Sequence, residues 1–217
     1  MNGPIEAGGK KRIHQRIGLF GGTFDPPHIG HLILAAECRY QLRLDRLLWV
    51  LTPNPPHKTG QTISPLEQRL DLVRAAIEDN PAFELSRIDI DRPAPQYAVD
   101  TVRIVKQNHP EAIVFYLMGG DSLHDLPTWH DPQMFVDEAD GLGVMRRPFD
   151  RIDLQALQAR LPGITEKVHF VEAPLLEISA SEIRRRIRSG EPFRYYLPEP
   201  VYNLIRERHL YMSVEQA

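Results

Sequence analysis

Two histidines and a run of glycines stand close together near the start of the chain, in the stretch GLFGGTFDPPHIGHL at residues 18–32. His28 and His31 are three residues apart, so on a helix both rings lie on one face and reach the same ligand. Gly21 and Gly22 carry no Cβ atom, which predicts a sharp turn and lets main-chain N–H groups approach a ligand closely. A helix beginning near the histidines adds free N–H groups and a positive dipole end. The stretch therefore predicts an anion site, with phosphate as the preferred anion.

Other interpretations of this stretch stay open at this point. The glycines match neither the P-loop, because no Lys-Ser or Lys-Thr follows them, nor the dinucleotide fingerprint. A strand-to-helix turn that binds no ligand is also common. The two histidines could instead bind a metal ion together with Asp25, since imidazole is a common metal ligand. A helix N-terminus disfavours a cation because its dipole repels positive charge, and phosphate is favoured for that reason.

A second polar cluster follows about 150 residues later, in the stretch ISASEIRRRIRSG. Ser179 predicts the cap of a helix in which Ile183 and Ile187 face the core. Arg184 then lies close to the helix N-terminus, where it can present a guanidinium to phosphate together with the hydroxyls of Ser179 and Ser181. Taken alone, the stretch also fits a helix in which the serine is only a cap and the arginines are solvated.

Short apolar runs alternate with longer amphipathic segments along most of the chain, and these elements must position the two clusters. The apolar runs predict strands at 16–20, 46–52, 83–90, 112–118, 141–147 and 167–173. The amphipathic segments predict helices at 29–42, 64–80, 98–108, 153–160, 179–190 and 198–209. This alternation predicts an α/β fold, a doubly wound parallel sheet with helices on both faces. Such sheets bind ligands beyond the carboxyl ends of their strands, where both clusters are expected.

Composition limits the classes of function. The chain has 217 residues, of which 42% are hydrophobic and 25% charged, and no apolar run reaches the roughly 20 residues of a membrane span. A net charge of −3 disfavours general nucleic-acid binding, including binding through the RRRIR segment. The lone Cys38 cannot form an internal disulfide, so a cytoplasmic protein without membrane or nucleic-acid partners is expected. We expect a flexible N-terminal arm at residues 1–15 and a single domain at 16–217.

The two clusters together resemble a known pair of motifs. GGTFDPPHIGH followed by ISASEIR is similar to the signature motifs of the nucleotidylyltransferase superfamily. PNPPHK, YAVDT, GGDSLHDLPTW and LPEPVYNLIRERHLY resemble segments of the bacterial nicotinate mononucleotide adenylyltransferases, and the resemblance covers nearly the whole chain from Ile17 onward. It implies a Rossmann-like nucleotidylyltransferase fold in which residues 179–217 form a helical portion that completes an ATP site. It also implies transfer of AMP from ATP to nicotinate mononucleotide, by direct attack without a covalent intermediate.

The resemblance further implies roles for individual residues. The expected catalytic residues are His31, His28 and Arg184. The residues expected to bind ATP are Gly21, Gly22, Thr23, Phe24, Gly119, Asp121, Ser179 and Ser181. The residues expected to bind the mononucleotide are Lys58, Tyr97, Thr101 and Trp129, the last as a stacking platform for the pyridine ring unless it serves only in core packing. Mg²⁺ is expected as a bridge between ATP phosphates and water, with no protein side chain as a metal ligand.

Three positions depart from the family pattern, and none of them removes a phosphate-binding group. Gly120 stands for a usual alanine, Ser181 for a usual threonine, and Ala98 for a usual threonine whose absence leaves the pyridine contacts open. Alternative functions are a superfamily enzyme with another acceptor, such as nicotinamide mononucleotide, phosphopantetheine or glycerol phosphate, and a non-catalytic nucleotide sensor. The intact histidines and arginine argue against the sensor. The sequence leaves the oligomeric state open.

Overall fold

The computed structural model describes residues 14–54, 63–146, 152–174 and 176–212, and these form a sheet of six parallel strands. The strands are β1 (Arg16–Gly22), β2 (Arg46–Leu51), β3 (Phe83–Ser86), β4 (Ile113–Gly119), β5 (Gly141–Met145) and β6 (Val168–Val171). Their spatial order is β3-β2-β1-β4-β5-β6. The order reverses between β1 and β4, so the crevice of a doubly wound sheet opens at the carboxyl ends of these two strands. The predicted fold class is confirmed.

Nine α-helices connect and flank the strands in the described part of the chain. They are α1 (Ile29–Gln41), α2 (Leu66–Ile77), α3 (Ala98–Asn108), α4 (Gly120–Asp125), α5 (Pro132–Glu138), α6 (Leu154–Arg160), α7 (Ile164–Lys167), α8 (Ala180–Arg188) and α9 (Glu199–Glu207). No helix in these described segments is long and apolar enough to cross a membrane.

Two apolar cores lie on opposite faces of the sheet because successive strand residues point to opposite sides. In β1, Ile17 and Leu19 belong to one core and Phe20 to the other. The core around Phe20 also contains residues of α1, α2, α8 and α9, among them Ile183 and Ile205. Helices from the last part of the chain therefore pack onto the same face of the sheet as the helix that follows the glycines.

Four local expectations need correction. The third strand ends at Ser86 rather than near residue 90, because the Ile90 N–H donates to the Arg87 carbonyl in a turn. Helix α2 begins at Leu66, after Pro65, two residues later than the predicted start at residue 64. Helices α4, α5 and α7 were not predicted; they have six, seven and four residues, which is too short for a clear periodic pattern, although α6, also of seven residues, was predicted. The last helix ends at Glu207, two residues earlier than expected.

Candidate active site

The glycine segment is the end of a strand and not the turn that the sequence predicts. Gly21 and Gly22 are the last two residues of β1, and the left-handed backbone conformation is found at Phe24, with φ +48°. Glycine is needed here for space. A Cβ atom on Gly21 would lie 2.3 Å from the Tyr116 hydroxyl, and one on Gly22 would lie 2.7 Å from the Phe24 ring. At the crevice, the aromatic rings of Tyr116 and Phe24 therefore occupy the space that side chains at positions 21 and 22 would need.

The two histidines lie together at the start of α1. Their rings stack with centroids 3.7 Å apart, and the His28 main-chain N–H donates to His31 Nδ1 at 3.1 Å. Because Nδ1 accepts this bond, the proton of a neutral His31 ring resides on Nε2, which makes that atom a hydrogen-bond donor. The rings of Phe20 and Phe24 contact the His31 ring edge-on and hold its orientation.

A cavity of about 720 Å³ opens beside these histidines, at the carboxyl ends of the strands. Nine of the residues expected from the sequence line it: Gly21, Gly22, Thr23, His28, His31, Tyr97, Gly119, Asp121 and Trp129. Residues from the ends of β1 and β4, from α1 and α4 and from the turn after α4 therefore share one space. Its volume is in the range typical of sites for small molecules.

Phe24 is not among the lining residues, because its side chain is buried in the apolar core against Phe20 and Trp49. A ligand in the cavity can therefore contact only main-chain atoms of Phe24. Lys58 falls outside the described residues.

The second predicted cluster meets the glycine segment as the sequence suggests. Arg184 Nη1 donates to the main-chain carbonyl of Asp25, across 159 residues. Ser179 caps α8, its Oγ accepting from the Glu182 N–H at 3.3 Å and lying 3.1 Å from Ser181 Oγ. These side chains do not line the cavity itself, but the adjacent Ile178 does. The start of α8 thus stands at the rim of the site.

Arg69 organises the loops beneath this rim, although no motif or spacing in the sequence indicates its role. Its buried guanidinium donates to main-chain carbonyls of Thr23, Thr52, Pro53 and Ser64, at 2.9–3.1 Å. Burial lowers the pKa of Arg69, and the nearby charge of Asp25 opposes that effect. From sequence, an arginine within an amphipathic helix is expected on the surface. The buried role of Arg69 is therefore visible only in the folded structure.

The far end of the cavity is aromatic. The Tyr97 ring stacks on His130, with centroids 3.8 Å apart, and the Trp129 ring packs against Phe135 and edge-on against Tyr116. Trp129 therefore both lines the cavity and joins the core, so its two expected roles are compatible.

Thr101 lies behind this end of the cavity rather than in its lining. Its hydroxyl donates to the Asp89 carboxylate at 2.7 Å and is also within hydrogen-bond distance of Arg92, at 3.2 Å. Arg92 donates in turn to Asp89 and to the Tyr97 carbonyl. The threonine is thus part of a buried polar network that holds Tyr97, the residue just before α3. Asp89 lines the cavity and is a residue that sequence reasoning missed.

No group of three or more His, Cys, Asp or Glu side chains that could hold a metal ion occurs within the described ranges. The alternative of a histidine–aspartate metal site is disfavoured by the contacts of Asp25. Its Oδ1 accepts from the Tyr211 hydroxyl at 2.8 Å and its Oδ2 from the Ser64 N–H at 3.1 Å. Both carboxylate oxygens are thus engaged within the protein.

Comparisons with known proteins find a family and several relatives. Residues 19–186 match a family model described as cytidylyltransferase-like. A protein of Thermomicrobium roseum named "Probable nicotinate-nucleotide adenylyltransferase" is 44% identical, over 92% of this chain and 93% of its own. A protein of Exiguobacterium sibiricum with the same name is 42% identical, over 91% of this chain and its whole length. Both alignments include most of the elements that line the cavity.

Solved structures show the same fold at lower sequence identity. The nicotinic acid mononucleotide adenylyltransferase of Plasmodium falciparum, complexed with NaAD, has a TM-score of 0.76 at 18% identity, covering 91% of this chain and 98% of that one. A second structure of that protein, complexed with APC, has a TM-score of 0.74.

Proposed function

Since the chain belongs to the nicotinate-nucleotide adenylyltransferase family, among the cytidylyltransferase-like proteins, we propose that it transfers AMP from ATP to nicotinate mononucleotide. The products are nicotinate adenine dinucleotide and pyrophosphate, so the reaction belongs to NAD biosynthesis. The observation that carries the proposal is that His31, Asp121 and Trp129 line one cavity. These residues offer a hydrogen-bond donor to phosphate, a carboxylate for ribose hydroxyls and an aromatic ring for stacking. Together they match the phosphate, ribose and ring parts of a dinucleotide product.

The reaction requires alignment more than proton transfer. The phosphate oxygen of the mononucleotide is already ionised and attacks the α-phosphorus directly, so no general base is needed. Holding two polyanions in line and stabilising charge on the α-phosphate and the leaving pyrophosphate then supply the catalysis. In this proposal His31 donates from Nε2 to the α-phosphate, and His28 assists at the phosphate chain. Arg184, with Ser179 and Ser181, holds the β- and γ-phosphates.

The nucleoside parts of both substrates are assigned to the two ends of the cavity. Gly119 and Asp121 would contact the adenosine, the acid being suited to ribose hydroxyls. Trp129 would stack on the pyridine ring, with Tyr97 beside it. Thr101 would act through the Asp89 network rather than by touching substrate. For Lys58 a contact with the phosphates stays a prediction.

The main chain around Gly21, Gly22, Thr23 and Phe24 would line the phosphate path. Residues 16–217 are proposed as one domain, because helices α8 and α9 pack into the same core as α1 and α2. We place the reaction in the cytoplasm, where a lone thiol such as Cys38 stays reduced.

Mg²⁺ is proposed to enter with ATP, bound to phosphate oxygens and water. A metal ion bound in this way needs few or no protein ligands. The cavity lining, in which Asp89 and Asp121 are the acidic residues among the described ones, is compatible with such an ion. When bound, it would supply charge neutralisation at the phosphates. The protein's own contribution is the fixed set of donors around the phosphates.

The test is a product assay with alternative acceptors. Purified protein is incubated with ATP and Mg²⁺ plus nicotinate mononucleotide, nicotinamide mononucleotide or phosphopantetheine, and the products are separated by chromatography. We expect the dinucleotide of nicotinate as the main product. Absence of any dinucleotide would overturn the proposal, and a dominant product from another acceptor would replace it with one of the alternatives. Binding of ATP without turnover would indicate a nucleotide sensor.

A further inference from the structure

The Asp25 carboxylate joins three parts of the chain that are distant in sequence. The residue is only 4% exposed, so its charge depends on partners inside the protein. One oxygen accepts from the hydroxyl of Tyr211, 186 residues later, and the other accepts from the Ser64 N–H. The Tyr211 bond links the last described turn of the chain to the residue that follows the strained Phe24.

Asp25 also holds the arginine of the second motif. Arg184 Nη1 donates to the Asp25 carbonyl and lies 3.9 Å from the carboxylate Oδ2. Since a guanidinium is planar and has five N–H donors, fixing one of its nitrogens orients the rest of the group. The Arg184 side chain is 23% exposed, and the helix that carries it begins beside Ile178, which lines the cavity, so we assign its remaining donors to a polyanion bound there.

The chain is held in an unusual conformation to bring Tyr211 to this position. His209 and Tyr211 both have left-handed backbone angles, with φ +52° and +66°, which residues other than glycine rarely adopt. The Tyr211 ring packs against the core that also contains Ile183 of α8. Burial raises the pKa of the Tyr211 hydroxyl, and the Asp25 charge raises it further, so the hydroxyl stays protonated and donates at neutral pH.

We propose that Tyr211 and Asp25 form a positioning pair for Arg184. The Tyr211 hydroxyl fixes the Asp25 carboxylate, and Asp25 fixes the guanidinium plane that faces the ATP phosphates. Neither residue touches substrate in this arrangement. The inference rests on the proposed function only in that Arg184 binds ATP.

The test measures ATP affinity in Tyr211→Phe, which keeps the buried ring and removes only the hydroxyl. ATP binding with Mg²⁺ is titrated calorimetrically without any acceptor. Loss of one hydrogen bond that orients a charged group is expected to weaken ATP binding about fivefold. Tyr202→Phe is the matched control, because its ring packs against Phe193 and Arg194 in the same part of the chain. The control should bind ATP like the parent protein.

A double-mutant cycle separates positioning from a merely structural role. If Tyr211 acts through Arg184, Tyr211→Phe has no further effect on ATP affinity in an Arg184→Met background. A structural role instead predicts the same fold loss in both backgrounds. Thermal unfolding and circular dichroism confirm that each variant is folded. Unchanged ATP affinity in folded Tyr211→Phe, or an equal loss in both backgrounds, overturns the inference.

These outcomes are distinguishable from failure of the proposed function. ATP binding is measured without a mononucleotide, so the result does not depend on which acceptor is used. A protein that formed no dinucleotide could still show the Tyr211–Arg184 coupling. Conversely, normal dinucleotide formation with no coupling would overturn only the positioning role.

Discussion

Arg184 Nη1 donates to the main-chain carbonyl of Asp25 at 2.5 Å, so the two motifs that the sequence separates by 159 residues meet in the folded chain. Helix α8 can reach the glycine segment because Ile183 and Ile187 anchor it to the core beneath β1. The groups that we propose to bind phosphate therefore belong to one packed surface. A substitution that alters the packing of α8 is therefore expected to displace groups of the candidate site as directly as a substitution in residues 18–32.

Replacement of Arg184 by methionine is expected to raise the KM for ATP and lower kcat/KM by about 10- to 100-fold, the scale of a hydrogen bond to a charged group. Arg184→Lys should recover only part of this loss, because an ammonium cannot reproduce the planar fork. Arg185→Met is the control, since Arg185 is exposed and paired with Glu182 and Glu191. Steady-state kinetics over a range of ATP concentrations measure the effect. Equal losses in both methionine variants would contradict a specific role for Arg184.

His31→Ala is expected to lower kcat by about 10²- to 10³-fold, the scale of losing one preorganised donor to developing charge. The KM for ATP should change much less, since the interaction is strongest in the transition state. His124→Ala serves as the control because His124 is exposed on α4. Near-parental turnover by His31→Ala would remove this residue from the mechanism.

The six strands and the helices of seven or more residues, except α5, followed from the alternation of apolar runs and amphipathic segments. Such patterns show which side of a long element is buried. Helices α4 and α7 are too short to show a pattern and were not predicted for that reason. The start of α2 was placed two residues too early for a different reason. The Ser64 N–H donates to the carboxylate of Asp25, a residue 39 positions away, and no local rule contains that contact.

The candidate site divides in the same way. His31 and Arg184 stood out because their types and neighbours match phosphate chemistry and a known pair of motifs. Arg69 and Asp89 gave no such signal, because their partners are main-chain carbonyls and a threonine that only folding brings close. The interpretation of Gly21 as a turn residue was wrong, because Gly21 lies in β1. A glycine is found there because Tyr116 of the neighbouring strand occupies the space of a side chain, a contact that the local sequence does not contain.

Arg69→Met is expected to lower the free energy of unfolding by about 3 kcal/mol or more, because it leaves buried carbonyls without donors. Arg74→Met, on the same helix, removes an exposed ion pair with Asp71 and should cost less than about 1 kcal/mol. Urea denaturation at neutral pH measures both. Losses of similar size in the two variants would show that the Arg69 contacts contribute little to stability.

Trp129→Leu is expected to raise the KM for nicotinate mononucleotide about 10-fold, because stacking of a base on an aromatic ring contributes about 1–3 kcal/mol. The KM for ATP should be nearly unchanged. Trp129→Phe keeps an aromatic face and should lose less. Because the ring also packs against Phe135, thermal unfolding must confirm that the variants are folded at the assay temperature. A KM that rises equally for both substrates would indicate a general packing defect instead of stacking.

Gly21→Ala tests whether the glycine at the end of β1 is required by the space that Tyr116 occupies. The new Cβ atom would lie 2.3 Å from the Tyr116 hydroxyl oxygen and 3.2 Å from the ring carbon that bears it. Tyr116 is buried, so its ring has little freedom to move. Overpacking of this kind is expected to lower the free energy of unfolding by about 1–3 kcal/mol. It should also weaken ATP binding, because the strand end that lines the phosphate path must shift.

A compensating change makes this prediction specific. Tyr116→Phe removes the hydroxyl oxygen, after which the nearest ring carbon is 3.2 Å from the new methyl group, a contact that a small shift relieves. Gly21→Ala combined with Tyr116→Phe should therefore recover most of the lost stability. Gly119→Ala is the control for a methyl group at a neighbouring strand end, because its Cβ would meet nothing within 4 Å. Urea denaturation of the single and double variants measures the recovery. If the double variant is no more stable than Gly21→Ala, the glycine serves the backbone of β1 and not the space beside it.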